Sequence, residues 1–242
     1  MVLQNAPADF RIERAAFGQL ILRADGRDLG KSLSPGSEVD HLIALARWFV
    51  ESGGTASGRM VRHDAPLPDW AAGTTRPAAS ASRVQPGPHP LGIALGLPFG
   101  RVSATTLTRL VEAETAIEAI RVTPWHSLIC ETDAALAAQP DPAEFITDAT
   151  SPLLRTDACV GAPACPQADV ETRSLARRLA PHVAGRLHVS GCAKGCARAA
   201  PADVTLTGRE GRYDLAFDAR AGAPPYRAGL DVAQILAQFG AA

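Results

Sequence analysis

Ala158-Cys-Val-Gly-Ala-Pro-Ala-Cys165 and, further along, Ser190-Gly-Cys-Ala-Lys-Gly-Cys196 hold four of the five cysteines of this 242-residue chain. The first pair is Cys-x5-Cys (Cys159, Cys165) and the second is Cys-x3-Cys (Cys192, Cys196). Four thiolates are what a cubane iron–sulfur cluster takes, one per iron. Gly161 and Pro163 let the first loop curl so that both sulfurs face one centre. Gly191 and Gly195 frame the second pair and leave room for a bulky inorganic core. In a helical turn, Cys192 and Cys196 would stand about 5–6 Å apart at Cβ. Two other readings of these residues stand beside the cluster. Four buried core thiols are one. A structural zinc site is the other, although its pairs are usually spaced Cys-x2–4-Cys, and Cys-x5-Cys falls outside that range. Cys130 ends an apolar stretch away from the others and reads as a core residue.

Around the cysteines, a helix is expected over Val170–Leu179, a strand over Leu187–Ser190, a hairpin over Val204–Phe217 and a final helix over Asp231–Phe239. Upstream, Gly92–Leu97 is a short apolar strand, and Ser103 caps a helix running to about Glu114. Ile120–Cys130 reads as one strand. Phe10–Asp25 reads as a hairpin and Val39–Val50 as a helix, with Leu42, Leu45, Ala46 and Phe49 at helical spacing. Residues 53–85 are rich in Gly, Ser, Ala and Pro, hold no period and read as a linker that Trp70 pins to a surface. A faint repeat links Phe10–Ala46 with Val204–Ala237: each is hairpin, loop, helix.

The bulk numbers bound the function. Hydrophobic residues make up 46% of the chain and aromatics 5%, so a packed core must lean on Leu, Val, Ile and Ala. The net charge of −1 supplies no basic field for nucleic acid or an anionic membrane. No apolar run approaches the ~20 residues of a membrane span, and Met1–Asp9 lacks the layout of a signal peptide. A soluble, cytoplasmic protein with no nucleic-acid or membrane partner is expected. Disulfides are disfavoured in a reducing cytosol, and clustered intracellular cysteines favour metal ligation. Nearly all basic residues are arginines, only Lys31 and Lys194 being lysines, so a single arginine carries little information.

Cys-x5-Cys followed by Gly-Cys-x3-Cys resembles the cluster motif of the nitrite/sulfite reductase superfamily. The wider wording narrows this. Ala158-Cys-Val-Gly-Ala-Pro-Ala-Cys-Pro-Gln-Ala168, Leu187-His-Val-Ser-Gly-Cys-Ala-Lys-Gly-Cys196 and Pro201-Ala-Asp-Val-Thr-Leu206 resemble the precorrin-3B synthase family. So do His89-Pro-Leu-Gly-Ile-Ala-Leu-Gly-Leu-Pro-Phe-Gly100 and Ile120-Arg-Val-Thr-Pro-Trp125. The likeness covers residues 86–242 well and 10–50 weakly.

The resemblance implies an α+β fold: a ferredoxin-like half-domain at 86–149, then a 4Fe–4S cluster domain at 150–242. Residues 1–52 would be the remnant of a first cluster-type domain, and 53–85 the linker. Complete members of the superfamily carry two copies of each domain, so a missing half-subunit or a homodimer is an expected partner. The implied cofactor is a 4Fe–4S cluster on Cys159, Cys165, Cys192 and Cys196. Where a sirohaem is present, Cys196 would bridge to it. The implied reaction is a monooxygenation of aerobic cobalamin biosynthesis, in which precorrin-3A is hydroxylated with O2 at C20 and a lactone closes with a ring acetate. An electron donor is needed, and a separate non-haem iron is implied; His89 and His126 are candidate ligands, each equally readable as a structural histidine.

Guanidinium groups suit the carboxylates of a tetrapyrrole. Arg121 is the first candidate, followed by Arg101, Lys194 and Arg198, each weighed against a solvated surface charge. No catalytic residue is assigned. A sirohaem-dependent nitrite or sulfite reductase, and a non-catalytic 4Fe–4S electron-transfer or partner subunit, are the alternative functions.

Overall fold

The computed structural model describes residues 8–79, 82–114, 116–133 and 140–241. Residues 1–7, which include most of the segment read for a signal peptide, and residues 80–81 of the expected linker lie outside them. The chain divides into two compact units, Met1–Arg83 and Val84–Ala242.

In the first unit, strands β1 (Phe10–Arg14) and β2 (Leu20–Ala24) form the expected hairpin in antiparallel register, Phe10 opposite Ala24. A short β3 (Lys31–Ser32) adds to β2. Helix α1 (Glu38–Glu51) follows, and α2 (Gly54–Ser57) comes directly after it. Alternation along β2 puts Leu22 and Ala24 on one face, where they meet Leu45 of α1.

Residues 53–79 are not a linker. Met60 is 1% exposed and Ala71 is buried, and both belong to the same apolar core as Leu22 and Leu45, with Leu67 packed on it. Backbone bridges join Pro77 to Ala15 and Thr75 to Gly30. The segment carries too few apolar residues for a period, but Met60, Leu67 and Ala71 are placed in the core. Trp70 packs against His41, ring centroids 6.5 Å apart.

The second unit contains two sheets. The first has the order β4-β5-β7-β6 and is antiparallel throughout, from β4 (Gly87–His89), β5 (Gly92–Gly96), β6 (Ala119–Val122) and β7 (Ser127–Glu131). The stretch Ile120–Cys130 is therefore two strands. Pro124 and Trp125 turn the chain, and His126 takes a left-handed φ of 56°. Helix α3 (Ala104–Ala113) begins as expected, the Ser103 hydroxyl accepting the Thr106 N–H at 3.0 Å. Leu95, Leu110, Leu128, Cys130 and Phe145 form the core of this layer.

The second sheet has the order β12-β11-β10-β9-β8, from β8 (Thr156–Ala158), β9 (Leu187–Ser190), β10 (Ala202–Arg209), β11 (Arg212–Ala219) and β12 (Arg227–Leu230). Strands β8, β9 and β10 run parallel, and the rest are antiparallel. A parallel pair needs a long crossover; here α4 (Arg173–Leu179) supplies it between β8 and β9. This helix starts three residues later than the periodicity suggests. All four residues of β9 are buried, as suits a strand covered on both faces. Helix α5 (Val232–Gln238) closes the chain, with Asp231 and Gln234 forming a capping box.

The faint repeat has a structural counterpart. β10-β11-β12-α5 and β1-β2-β3-α1 are each a three-stranded antiparallel meander followed by a helix, with the hairpin first. Among the described residues, the first copy has no equivalent of the parallel strands β8 and β9.

Candidate metal centre

Parallel neighbours end at the same edge of a sheet, and ligands of α/β sheets gather beyond those carboxyl ends. Ala158, the last residue of β8, lies opposite Val189 of β9. Cys159 therefore leaves β8 beside the point where Gly191-Cys192 leaves β9. Crossover topology, with register, brings together two motifs that lie far apart in sequence.

Hydrogen bonds tie the two loops to each other. The Gly191 N–H donates to Cys159 Sγ at 3.1 Å, and the Asp169 N–H donates to the Gly191 carbonyl at 2.9 Å. Within the first loop, Cys165 N–H donates to the Gly161 carbonyl at 2.8 Å, and the buried Thr172 hydroxyl donates to the Cys159 carbonyl at 2.6 Å. Gly161 is required on two counts: its φ is +68°, and a Cβ there would stand 2.7 Å from Thr172 Oγ1. Gly191 is required by proximity, since a Cβ would meet that of Ala168 at 2.6 Å. Cys192–Cys196 is a loop of successive turns rather than a helical turn.

All four motif cysteines line one cavity of about 320 Å³, together with Phe99, His126, Asp157, Arg173 and Ser190. Among the described residues, no three His, Cys, Asp or Glu side chains converge on a point where a single ion would sit. A cubane takes one thiolate at each of its irons, so its ligands ring a body of some size instead of meeting at one atom. Four sulfurs around a cavity, one of them already accepting a backbone N–H, fit that demand. Cys159, Cys165 and Cys192 are half-buried and Cys196 is exposed. Cys130 is fully buried in the other layer, where burial pushes its thiol pKa up and Glu114 adds to the effect.

The predicted basic residues are dispersed. Arg121 lies on β6, an edge strand, where its side chain is 59% exposed and ion-paired with Glu131; it lines neither this cavity nor the one beside it. Arg198 is turned inward: Nε donates to the Pro201 carbonyl at 2.8 Å, and a terminal nitrogen stands 3.7 Å from Asp157. Lys194 is exposed on the second cysteine loop. Arg101 lines an adjoining cavity of about 590 Å³ that shares Phe99, Val160 and Arg173 with the thiol-lined one. His126 reaches the thiol-lined cavity, whereas His89 sits on β4 with Nδ1 accepting the Leu91 N–H.

Sequence reasoning missed Phe99, Arg173 and Arg177. Phe99 belongs to the Pro-Phe-Gly turn already quoted, and its φ of 57° marks a backbone held out of its ordinary range beside the cavity. The two arginines were hidden by the arginine-rich composition.

Similarity to known proteins bears on this geometry. No family model matches the chain. The NirA protein of Mycobacterium tuberculosis superposes on 96% of the chain with a TM-score of 0.50 at 16% identity. The chain shares the fold of that protein. The precorrin-3B synthase of Sinorhizobium sp is 34% identical over 168 residues, 62% of this chain. The chain spans 37% of the length of that synthase and 56% of the NirA chain. In this fold, the thiol-lined cavity sits at the carboxyl ends of β8 and β9, against the Pro98–Gly100 turn of the neighbouring layer. Among the described residues, no helix is long and apolar enough to cross a membrane.

Proposed function

We propose that the chain is a precorrin-3B synthase-like monooxygenase component that holds a 4Fe–4S cluster on Cys159, Cys165, Cys192 and Cys196. The observation that carries the reading is the convergence of both cysteine loops on one cavity, joined through Gly191 and Cys159. The identity to a precorrin-3B synthase supports the substrate class. The balanced reaction takes O2, two electrons and two protons: one oxygen atom enters precorrin-3A as a hydroxyl and the other leaves as water. When bound, the cluster supplies the electron relay.

The chain's own residues bind and orient. Arg101 and Lys194 stand ready to meet carboxylates of the macrocycle, Arg101 from the Phe99 side and Lys194 from the second cysteine loop. Phe99 gives an apolar wall that keeps water from the shared rim of the two cavities. Asp157, braced by Arg186 at 3.0 Å, fixes Arg198 under the loop that carries Cys196. A second, pseudo-symmetric half completes the pocket; the repeated meander and helix support this part of the reading.

The test is anaerobic reconstitution followed by precorrin-3A, isotopically labelled O2 and a reductant. Label in the hydroxylated product, at a specific rate that rises with dimer population or on adding a partner half, is the expected result. A second reading is favoured by one observation, the exposure of Cys196, which would leave its sulfur open to a further cofactor such as a sirohaem. A sirohaem band in the purified protein, with sulfite reduction and unaltered precorrin-3A, would replace the first reading with this one.

A further inference from the structure

The 590 Å³ cavity beside the thiol-lined one carries three guanidinium groups that the cluster chemistry does not use. They are Arg101, Arg173 and Arg177. Among the described residues, none of the three forms an ion pair with a carboxylate. Arg173 Nε is buried with no hydrogen-bond partner, a deficit that a folded protein rarely leaves unfilled. Arg177 lies over the Phe99 ring, 5.6 Å from its centroid. Stacking occupies the face of a guanidinium and leaves its in-plane N–H donors free.

Two carboxylates also line the cavity, Glu144 and Glu171. Glu171 is engaged, since its Oε1 accepts the Ser174 N–H at 2.9 Å. Three guanidiniums against two carboxylates leave positive charge in excess. Burial, with the neighbouring Arg101 charge second, holds the Arg173 guanidinium below its ordinary pKa. An anion between these arginines would relieve that repulsion and give the orphaned Nε an acceptor.

We propose that this cavity is an oxyanion-binding subsite in which Arg173, flanked by Arg101 and Arg177, holds a carboxylate through charge-assisted hydrogen bonds. Arg173 and Phe99 line both cavities, so a carboxylate held here would belong to a molecule whose body reaches the thiol-lined cavity. The assignment to a substrate side chain rests on the proposed function; the oxyanion site itself does not.

The experiment uses two probes on the whole chain, with calorimetric titration. Uroporphyrin, a tetrapyrrole bearing many carboxylates, tests the macrocycle source, and inorganic phosphate tests a small free oxyanion. Uroporphyrin binding that falls about 10- to 150-fold in Arg173→Gln, the range for losing one charge-assisted bond, is the expected result. Arg173→Lys should recover part of it. Phosphate binding that depends on Arg173, with no uroporphyrin binding, would uphold the subsite while failing the tetrapyrrole reading. The exposed Arg177→Gln serves as a second variant if Arg173→Gln loses its cooperative melt. Equal affinity of wild type, Arg173→Gln and Arg177→Gln for both probes, or no binding of either, would overturn the subsite.

Discussion

The backbone N–H of Gly191 lies 3.1 Å from the sulfur of Cys159, so the second cysteine loop already grips a thiol of the first. A hydrogen bond to a ligand sulfur favours its anionic form and tunes the metal it holds. The contact also fixes the spacing of the loops.

Anaerobically purified or reconstituted chain should carry about four irons and four sulfides. Replacing Cys159, Cys165, Cys192 or Cys196 by Ser should each lower iron and sulfide content. Cys130→Ser should leave the cluster intact and instead cost about 1–3 kcal/mol of stability, because it places a hydroxyl in an apolar core. Stoichiometric zinc without labile sulfide would sink the cluster assignment.

Gly191→Ala should loosen the centre with every cysteine still in place. Its new Cβ would meet that of Ala168 at 2.6 Å, forcing the loops apart. Overpacking of this kind costs about 1–3 kcal/mol. Cluster half-life under air, followed by visible absorption, should shorten, and Gly191→Ala combined with Ala168→Gly should restore it. A single variant as durable as wild type would show that the spacing is not critical.

His188 gives the apo chain an acid-sensitive core. It is fully buried on β9, and among the described residues neither ring nitrogen has a hydrogen-bond partner. Burial lowers its pKa from 6.5, opposed by Asp157 and assisted by Arg198. A base whose folded pKa is depressed binds its proton more readily when unfolded. Its contribution to stability is therefore present above pH 6.5 and is lost as pH falls. Denaturant midpoints should drop between pH 6.5 and 5 in wild type, and His188→Met should flatten that limb. Parallel curves for the two proteins would clear His188 of the role.

Met60→Ala tests whether residues 53–79 belong to the first core. A side chain 1% exposed leaves a cavity when truncated, and such changes cost about 2–5 kcal/mol. Hydrogen exchange should rise across β1–β3 and α1. A flexible connector would show no change.

Much of the fold was legible where one local rule decided the outcome. Leu187–Ser190 reads as a short strand because the apolar Leu187 and Val189 alternate with His188 and Ser190, and Ser103 announces its helix by capping. Ile120–Cys130 misled because apolar residues flank Pro124 on both sides, whereas Pro124 and Trp125, with the left-handed His126, turn the chain back. β8 and β12 are too short to show a period and exist through their neighbours. The meeting of the four cysteines at one cavity was legible in their spacing and their framing glycines. Arg173 was not, because its importance comes from the crossover that lays α4 beside the Phe99 turn, a long-range event with no local mark. Arg121 shows the reverse: a motif position that pairs with Glu131 across its own sheet.

The order of strands in the five-stranded sheet also bears on how the protein matures. The meander β10-β11-β12 with α5 is local in sequence and can close quickly, whereas β8 and β9 must wait for β10 before their parallel pairing is rewarded. In synthesis from the N-terminus, β10 leaves the ribosome after β8 and β9. Cys159 and Cys165 are thus exposed to the cell well before the strand that organises their loop exists. Until β10 follows, unpaired strand edges and naked thiols invite aggregation.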